Sequence, residues 1–284
     1  MIAPVLQDDA FLADVAAARA ETAGGRLFVW WLGQSGFLLC HRGACLLFDP
    51  YLSDALTKKY VATDKPHVRM TARVVDPARL DFLQVVTSSH NHTDHFDVET
   101  LAPIFAASPA ARLVLPSANV DFALQRLGAA AQSRFVPLAE AQTASLGAFT
   151  IEAVPAAHEE LSPTFAGFVV RIGPFQIYHS GDTVLFPGMV EGLRSFEVDL
   201  ALLPINGRAP ERRVSGNLSA GEAAHVAHGI GARWVVPCHY EMFEFNTASP
   251  APFAAECVRL GQKHAVLRAG ERWSLTPGHQ NHTA

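Results

Sequence analysis

Apolar residues fall along this chain in short runs separated by glycine, proline and polar turns, a spacing that predicts strands more often than helices. One early stretch breaks that pattern. Phe11, Leu12, Val15 and Ala18 recur at helical spacing and predict an N-terminal helix over about 8–23, ended by Gly24-Gly25. Leu27–Leu32, Phe37–His41 and Ala44–Phe48 then read as antiparallel strands, with tight turns at Gly33-Gln34-Ser35-Gly36 and Arg42-Gly43. Residues 50–73 form a long polar connection, the kind that often carries function. A strand over Phe82–Thr87, a helix over Phe96–Ala106, a strand at Leu113–Leu115, a helix over Val120–Leu127 and a strand over Arg134–Pro137 follow.

The second half opens on strands again: Thr143–Leu146, Phe149–Val154, Phe165–Ile172, Phe175–Tyr178 and Val198–Leu203. Ser219 with Glu222 three residues on forms a capping box that starts a helix. Arg233–Pro237 reads as a strand and Pro252–Leu260 as a helix, with short strands around Val266 and Trp273 and a frayed tail over about 277–284. Both halves run from strands into strands alternating with helices, and no linker divides them. The expectation is one domain over 1–284, with two sheets packed together and helices outside.

Composition narrows the class. Of 284 residues, 49% are hydrophobic and 17% charged, which suits a sizeable core and not a disordered chain. The formal net charge of −5 and the absence of a long basic run argue against a nucleic-acid partner. Cys40, Cys45, Cys238 and Cys257 include no C-x-x-C pair and read as buried, reduced thiols in a reducing compartment. Asp8 and Asp9 stand where a signal peptide needs positive charge, and no apolar run has the length of a membrane span, so the expected location is the cytoplasm.

The chemistry lies in the histidines. His90, His92 and His95 fall within six residues with Asp94 among them, between a strand and a helix. In an extended stretch residues two apart point the same way, so His90 and His92 can reach one ion together, while Asp94 and His95 can turn toward a second. Imidazole nitrogen and carboxylate oxygen suit zinc, manganese or iron(II). His158, Asp182 and His239 each follow a strand, where open α/β sheets build their sites. Asp49 and His179 are candidates to stand behind the ligands and orient them, with a plain turn aspartate and a satisfied core histidine as the alternatives. His225 and His228 read as helix-surface residues.

His-x-His-x-Asp-His, followed in order by His158, Gly181-Asp182-Thr183 and His239, resembles the signature of the metallo-β-lactamase superfamily over roughly Leu27 to Trp273. The resemblance implies an α/β fold, a four-layer αββα sandwich. It implies one metal held by His90, His92 and His158, a second by Asp94, His95 and His239, and Asp182 bridging both. It thus implies two divalent ions, zinc or manganese, that activate water, with Asp94 also catalytic in orienting that water or taking its proton. Within the superfamily, Trp31-Leu32-Gly33-Gln34-Ser35-Gly36-Phe37, Asp49-Pro50-Tyr51-Leu52-Ser53, His179-Ser180-Gly181-Asp182-Thr183 and Pro237-Cys238-His239-Tyr240 are similar to the L-ascorbate-6-phosphate lactonase-like group. That implies a hydrolase opening a lactone of a small anionic sugar derivative, with self-association as in that group. A metal-dependent phosphodiesterase of the N-acylphosphatidylethanolamine phospholipase D-like type is the alternative. Asn206, Arg208 and Tyr240 are candidate substrate contacts, and Lys58, Lys59, Arg212 and Arg213 are further cations that could meet an anion.

Overall fold

A computed structural model describes residues 1–158 and 160–277. The expected tail over about 277–284, beyond Pro277, lies outside the described residues.

Thirteen strands among the described residues form two mixed sheets. The first contains β1 (Leu27–Gly33), β2 (Gly36–His41), β3 (Ala44–Phe48), β4 (Val85–Thr87), β5 (Arg112–Pro116) and β6 (Phe135–Leu138) in that order, with β13 (Arg272–Leu275) beside β1. The second runs β12 (Trp234–Cys238), β11 (Leu200–Pro204), β10 (Phe175–His179), β9 (Leu161–Ile172), β8 (Phe149–Ala157) and β7 (Thr143–Leu146). In each sheet the antiparallel hairpins come first and the parallel strands after them. Parallel neighbours require crossover helices, and the 3.6-residue pattern supplies them there: α3 (Val98–Ala107) joins β4 to β5, and α4 (Val120–Leu127) joins β5 to β6. The helix α6 (Ala220–Gly229) joins β11 to β12, lies against both and packs on α7 (Ala251–Leu260). This is the α/β sandwich that the two halves of the sequence imply.

The sheets meet face to face. Phe37 and Phe48 of the first sheet pack on His179 of the second, with Phe48 stacked at 4.6 Å, and His41 meets Phe175 edge-on. β1 and β11 are buried along their whole length, as strands covered on both faces must be. The N-terminal helix α1 spans Asp8–Ala20, shorter than the expected 8–23, and buries Phe11, Val15 and Ala18. Full burial of a side chain such as Phe11 is worth about 1.5–3 kcal/mol. Ser219 caps α6 through the reciprocal bonds expected of it with Glu222.

Several local expectations change. The strand expected over Phe82–Thr87 shrinks to β4, because residues 77–84 form a short 3-10 turn, a further turn and a bend before the chain extends. The helix expected from Phe96 starts at Val98, where the Asp97 side chain accepts the Glu99 amide and sets the N-terminus. Around Val266 there is only a single bridge, from His264 to Val235. The polar connection contains a short helix, α2 (Ala55–Tyr60), and Met189–Leu193 forms another, α5.

The reading of Cys40 and Cys45 as reduced thiols is overturned, since the two form a disulfide. The cause is register. Arg42 and Gly43 both have positive φ, 47° and 83°, the two-residue turn that closes a tight hairpin. That turn pairs His41 with Ala44 and sets Cys40 directly opposite Cys45, Cα atoms 4.4 Å apart. A reducing compartment loses the support it drew from those thiols. Cys238 and Cys257 are free and buried.

Candidate metal centre

The ends of five strands converge on one point between the sheets. Asp49 follows β3, the Ser88–His95 loop follows β4, His158 follows β8, Asp182 follows β10 and His239 follows β12. The loop is a series of bends and a turn, not an extended stretch, yet it still brings the His90 and His92 rings within 4.6 Å. Backbone bonds hold it in place: Ser88 N–H donates to Val114, Phe96 N–H to His92, and Ala166 N–H of β9 to Ser89. Gly181 has φ of 60°, and a Cβ there would stand 2.6 Å from Ser89 Cβ and 2.9 Å from the Ala166 carbonyl, so only glycine lets Asp182 approach the loop.

Two groups of donors result. His90, His92 and His158 present one set of ligand atoms, and Asp94, His95, Asp182 and His239 another, with all atoms in each set within 4.8 Å of one another. Asp182 joins them. Its Oδ1 lies 3.3 Å from His95 Nε2, and its Oδ2 lies 3.3 Å from His239 Nε2 and 3.9 Å from His158 Nε2. Asp94 Oδ2 is 3.6 Å from His239 Nε2 and 3.7 Å from His95 Nε2. Donors bound at roughly 2.0–2.2 Å around a tetrahedral ion stand about 3.3–3.6 Å apart, so these spacings suit a metal.

The orphaned atoms make the same point. His90 Nε2, His95 Nε2 and Asp182 Oδ1 are buried without a hydrogen-bond partner. Native interiors rarely tolerate that, and three such atoms spread over the two donor groups suit cations. The other ring nitrogens are committed. His95 Nδ1 donates to Asp49 Oδ2 at 2.7 Å and His158 Nδ1 donates to the Gly216 carbonyl at 2.8 Å. The Ser89 hydroxyl donates to Asp49 and so can accept from His90 Nδ1 at 3.0 Å. In each case Nδ1 keeps its proton, so a ring that gives up its other proton presents an Nε2 lone pair to the centre, the tautomer a ligand requires.

Asp49 is fully buried and also accepts from the Thr87 hydroxyl at 2.6 Å and the Ser89 amide at 3.1 Å. His179 donates through Nε2 to the Ser35 carbonyl and accepts the Gly181 amide, which places it behind Asp182.

The two groups differ in charge. Burial, with His95 nearby, pushes His90 well below the usual histidine range, and burial also lowers His92. Burial opposes charge on His239, but the Asp182 and Asp94 carboxylates outweigh it and raise that ring to about 9; the same pair raises His95. Burial would raise Asp182, but His239 and His95 hold it well below the carboxylate range. Asp94 is depressed in the same way, chiefly by His95 against burial. Burial thus disfavours charge on His90 and His92, while the second group is strongly polar.

A cavity of about 330 Å³ opens over the centre and exposes His92, Asp94, His158, Asp182 and His239. Its mouth is lined by Lys59, Tyr60, Lys65, His67, Arg213, Ser215 and Asn246. Among the described residues, no carboxylate lies within ion-pair distance of Lys59 or Lys65. Arg213, by contrast, pairs with Asp64.

Three expected substrate contacts stand elsewhere. Tyr240 is buried, stacked 4.3 Å from Trp31, with its hydroxyl on the Leu267 carbonyl. Arg208 pairs with Glu222 outside the cavity, and Lys58 likewise with Glu99. Asn206 is buried and donates to Asn246, and Asn246 is the residue that reaches the cavity. Arg212 donates to Asn246 and to the Asn206 carbonyl. His225 is exposed beside Glu256. Gln34 was legible only as a turn residue, yet its amide nitrogen lies 2.8 Å from Asp94 Oδ2 and 2.9 Å from His239 Nε2.

The Beta-lactamase superfamily domain matches residues 45–240. A UPF0173 metal-dependent hydrolase of Opitutus terrae is 30% identical over 85% of this chain and 96% of its own. Two solved structures share the fold. The Igni18 metallo hydrolase of Ignicoccus hospitalis superposes with a TM-score of 0.64 at 21% identity, over 88% of this chain and 98% of its own. The isothiocyanate hydrolase from Delia radicum gut bacteria does so with a TM-score of 0.71 at 16% identity, over 88% of this chain and all of its own, 100%. The chain belongs to the metallo-β-lactamase superfamily and, by its likeness to the UPF0173 proteins, groups with that superfamily's metal-dependent hydrolases.

Proposed function

We propose that this protein is a binuclear hydrolase that opens the lactone ring of a small anionic sugar derivative. The observation that carries the two-ion reading is Asp182, whose two oxygens face donors of both groups at 3.3–3.9 Å. His90, His92 and His158 would hold one ion, and Asp94, His95 and His239 the other, with Asp182 shared. Two divalent ions, zinc or manganese, supply Lewis acidity and lower the pKa of water.

The chain's own residues then have distinct tasks. Asp49, Ser89 and the Gly216 carbonyl hold the imidazole protons away from the centre. Asp94 faces the cavity, so it can orient the attacking water and take its proton. Water oxygen joins the lactone carbonyl carbon, the ring C–O bond breaks, and the departing ring oxygen receives a proton from Asp94. Lys59 and Lys65 at the mouth would meet a phosphate or carboxylate on the substrate. A cavity of about 330 Å³ suits a small molecule.

The alternative is a phosphodiesterase of the N-acylphosphatidylethanolamine phospholipase D-like type. One feature favours it: an apolar groove lined by Leu161, Phe165, Phe186 and Phe196, in which Phe165 also lies 5.5 Å from the His90 ring. A panel of lactones, phosphodiesters and β-lactams, assayed with zinc and with manganese, separates the two. Lactone turnover that disappears in His92→Ala together with bound metal supports the proposal. Phosphodiester turnover without lactone turnover assigns the site to the alternative, and unchanged metal content in that variant removes His92 as a ligand.

A further inference from the structure

The orientation of one carboxamide at the cavity mouth is decided by its neighbours. We infer that Asn246 is a substrate contact, whose side-chain N–H donates to the anionic group that Lys59 and Lys65 attract; this rests on the reading of the substrate as a small anion. Asn246 is half-buried in the segment after β12 and lines the cavity together with those two lysines. One end of its amide accepts from Arg212 Nη1 at 2.7 Å and from Asn206 Nδ2 at 3.0 Å. A guanidinium carries donors only, so the atom facing Arg212 is the oxygen. The NH2 end is thereby turned away from Arg212. It makes no hydrogen bond among the described residues and is not one of the atoms sealed from solvent.

The constraint runs on through the neighbours. Asn206 gives its NH2 to Asn246, so its Oδ1 is left to accept, and it takes Asn217 Nδ2 at 2.9 Å. Arg212 Nη2 also donates to the Asn206 carbonyl at 2.8 Å, which holds the same pair a second time. Asn217 follows Gly216, whose carbonyl accepts from His158 Nδ1. The amides therefore lead from the support of a candidate ligand to the mouth, each pointing the same way, and end on a free donor. Lysine places charge at the mouth without fixing direction, whereas a held N–H selects where one oxygen of the substrate sits.

The rival role is a hub that only ties Arg212 to Asn206, and two substitutions separate them. Asn246 has φ of 57°, which glycine and aspartate both tolerate. Asn246→Gly removes donor and acceptor and adds no charge. Asn246→Asp keeps an oxygen for Arg212 and Asn206 and loses the donor. The zinc-loaded full chain is titrated by calorimetry with D-gluconate 6-phosphate, an open-chain sugar-acid phosphate, and with D-gluconate, at about 0.1 M and about 1 M salt. Zinc content and circular dichroism report the centre and the fold. Both variants should bind the phosphorylated probe about 10–100-fold more weakly than wild type with zinc content unchanged, and the Asn246→Asp deficit should persist at high salt. A loss that extends to gluconate places the contact at the carboxylate, and a loss confined to the phosphorylated probe places it at the phosphate. Wild-type affinity in Asn246→Asp overturns the inference in favour of the hub. Wild-type affinity in Asn246→Gly overturns it too, and so does an Asn246→Asp deficit that vanishes at high salt, the mark of through-space charge alone. Should the glycine variant not fold, Asn246→Asp at high salt decides alone. Wild type that binds neither probe removes the anionic-substrate reading itself, a different failure.

Discussion

Replacing Asp49 by asparagine probes how the centre is held without touching a donor. The side chain keeps its size and one oxygen, which can still accept from the Thr87 hydroxyl and the Ser89 amide. The other oxygen becomes an NH2 facing His95 Nδ1 at the position where the carboxylate accepts at 2.7 Å. Two donors cannot face each other there, so His95 must move its proton to Nε2. That nitrogen is the orphaned atom 3.3 Å from Asp182 Oδ1. A protonated Nε2 cannot ligate, and the ring must be forced back to the other tautomer before an ion enters. Loss of such an orienting partner costs about 10–100-fold in metal affinity, or roughly 1.4–2.7 kcal/mol. Calorimetric titration of the stripped protein should show that loss for the second ion and a smaller one for the first, where His92 and His158 do not touch Asp49 and only His90 reaches it, through the Ser89 hydroxyl. Second-ion affinity equal to wild type would refute the orienting role, and an equal loss at both sites would show general disruption instead.

Uptake of the second ion should release protons. In the metal-free protein His239 is raised to about 9 and His95 is raised too, because Asp182 and Asp94 outweigh their burial. Affinity should therefore climb as pH rises toward 9, and calorimetry in buffers of different ionisation enthalpy should show a buffer-dependent heat; no dependence contradicts the assignment. The same shift sets a sign for folding. His239 stabilises the metal-free fold fully below about 6.5 and loses that contribution as pH rises through about 9. Lys59→Ala with Lys65→Ala should raise KM for an anionic substrate about tenfold with kcat little changed, an effect that shrinks at high salt. Tyr240→Phe should cost about 1–2 kcal/mol in chemical denaturation through the lost bond to Leu267 and leave kcat intact.

The strands and the positions of the chemistry were legible because apolar period and the order of histidines and aspartates are local properties. His90, His158, Asp182 and His239 each follow a strand that its own residues specify. What was hidden depends on residues distant in sequence meeting. Gln34 faces Asp94 only because β1 and β2 turn back beneath His239, 205 residues away. Asn246, not Asn206, reaches the cavity because Asn206 is turned inward onto Asn217 and Asn246. Tyr240 follows a donor in sequence, but the chain turns at His239, where φ is 64°, and Tyr240 packs into the core against Trp31. The Cys40–Cys45 pairing was within reach, since a two-residue turn at Arg42-Gly43 fixes which residues oppose each other. No cysteine spacing rule contains that register argument.

The most direct test is anomalous diffraction from crystals of the manganese-loaded protein. Two peaks are predicted, one among His90, His92 and His158 and one among Asp94, His95 and His239, with Asp182 touching both. A single peak, or density away from these residues, would contradict the two-ion centre on which the account stands.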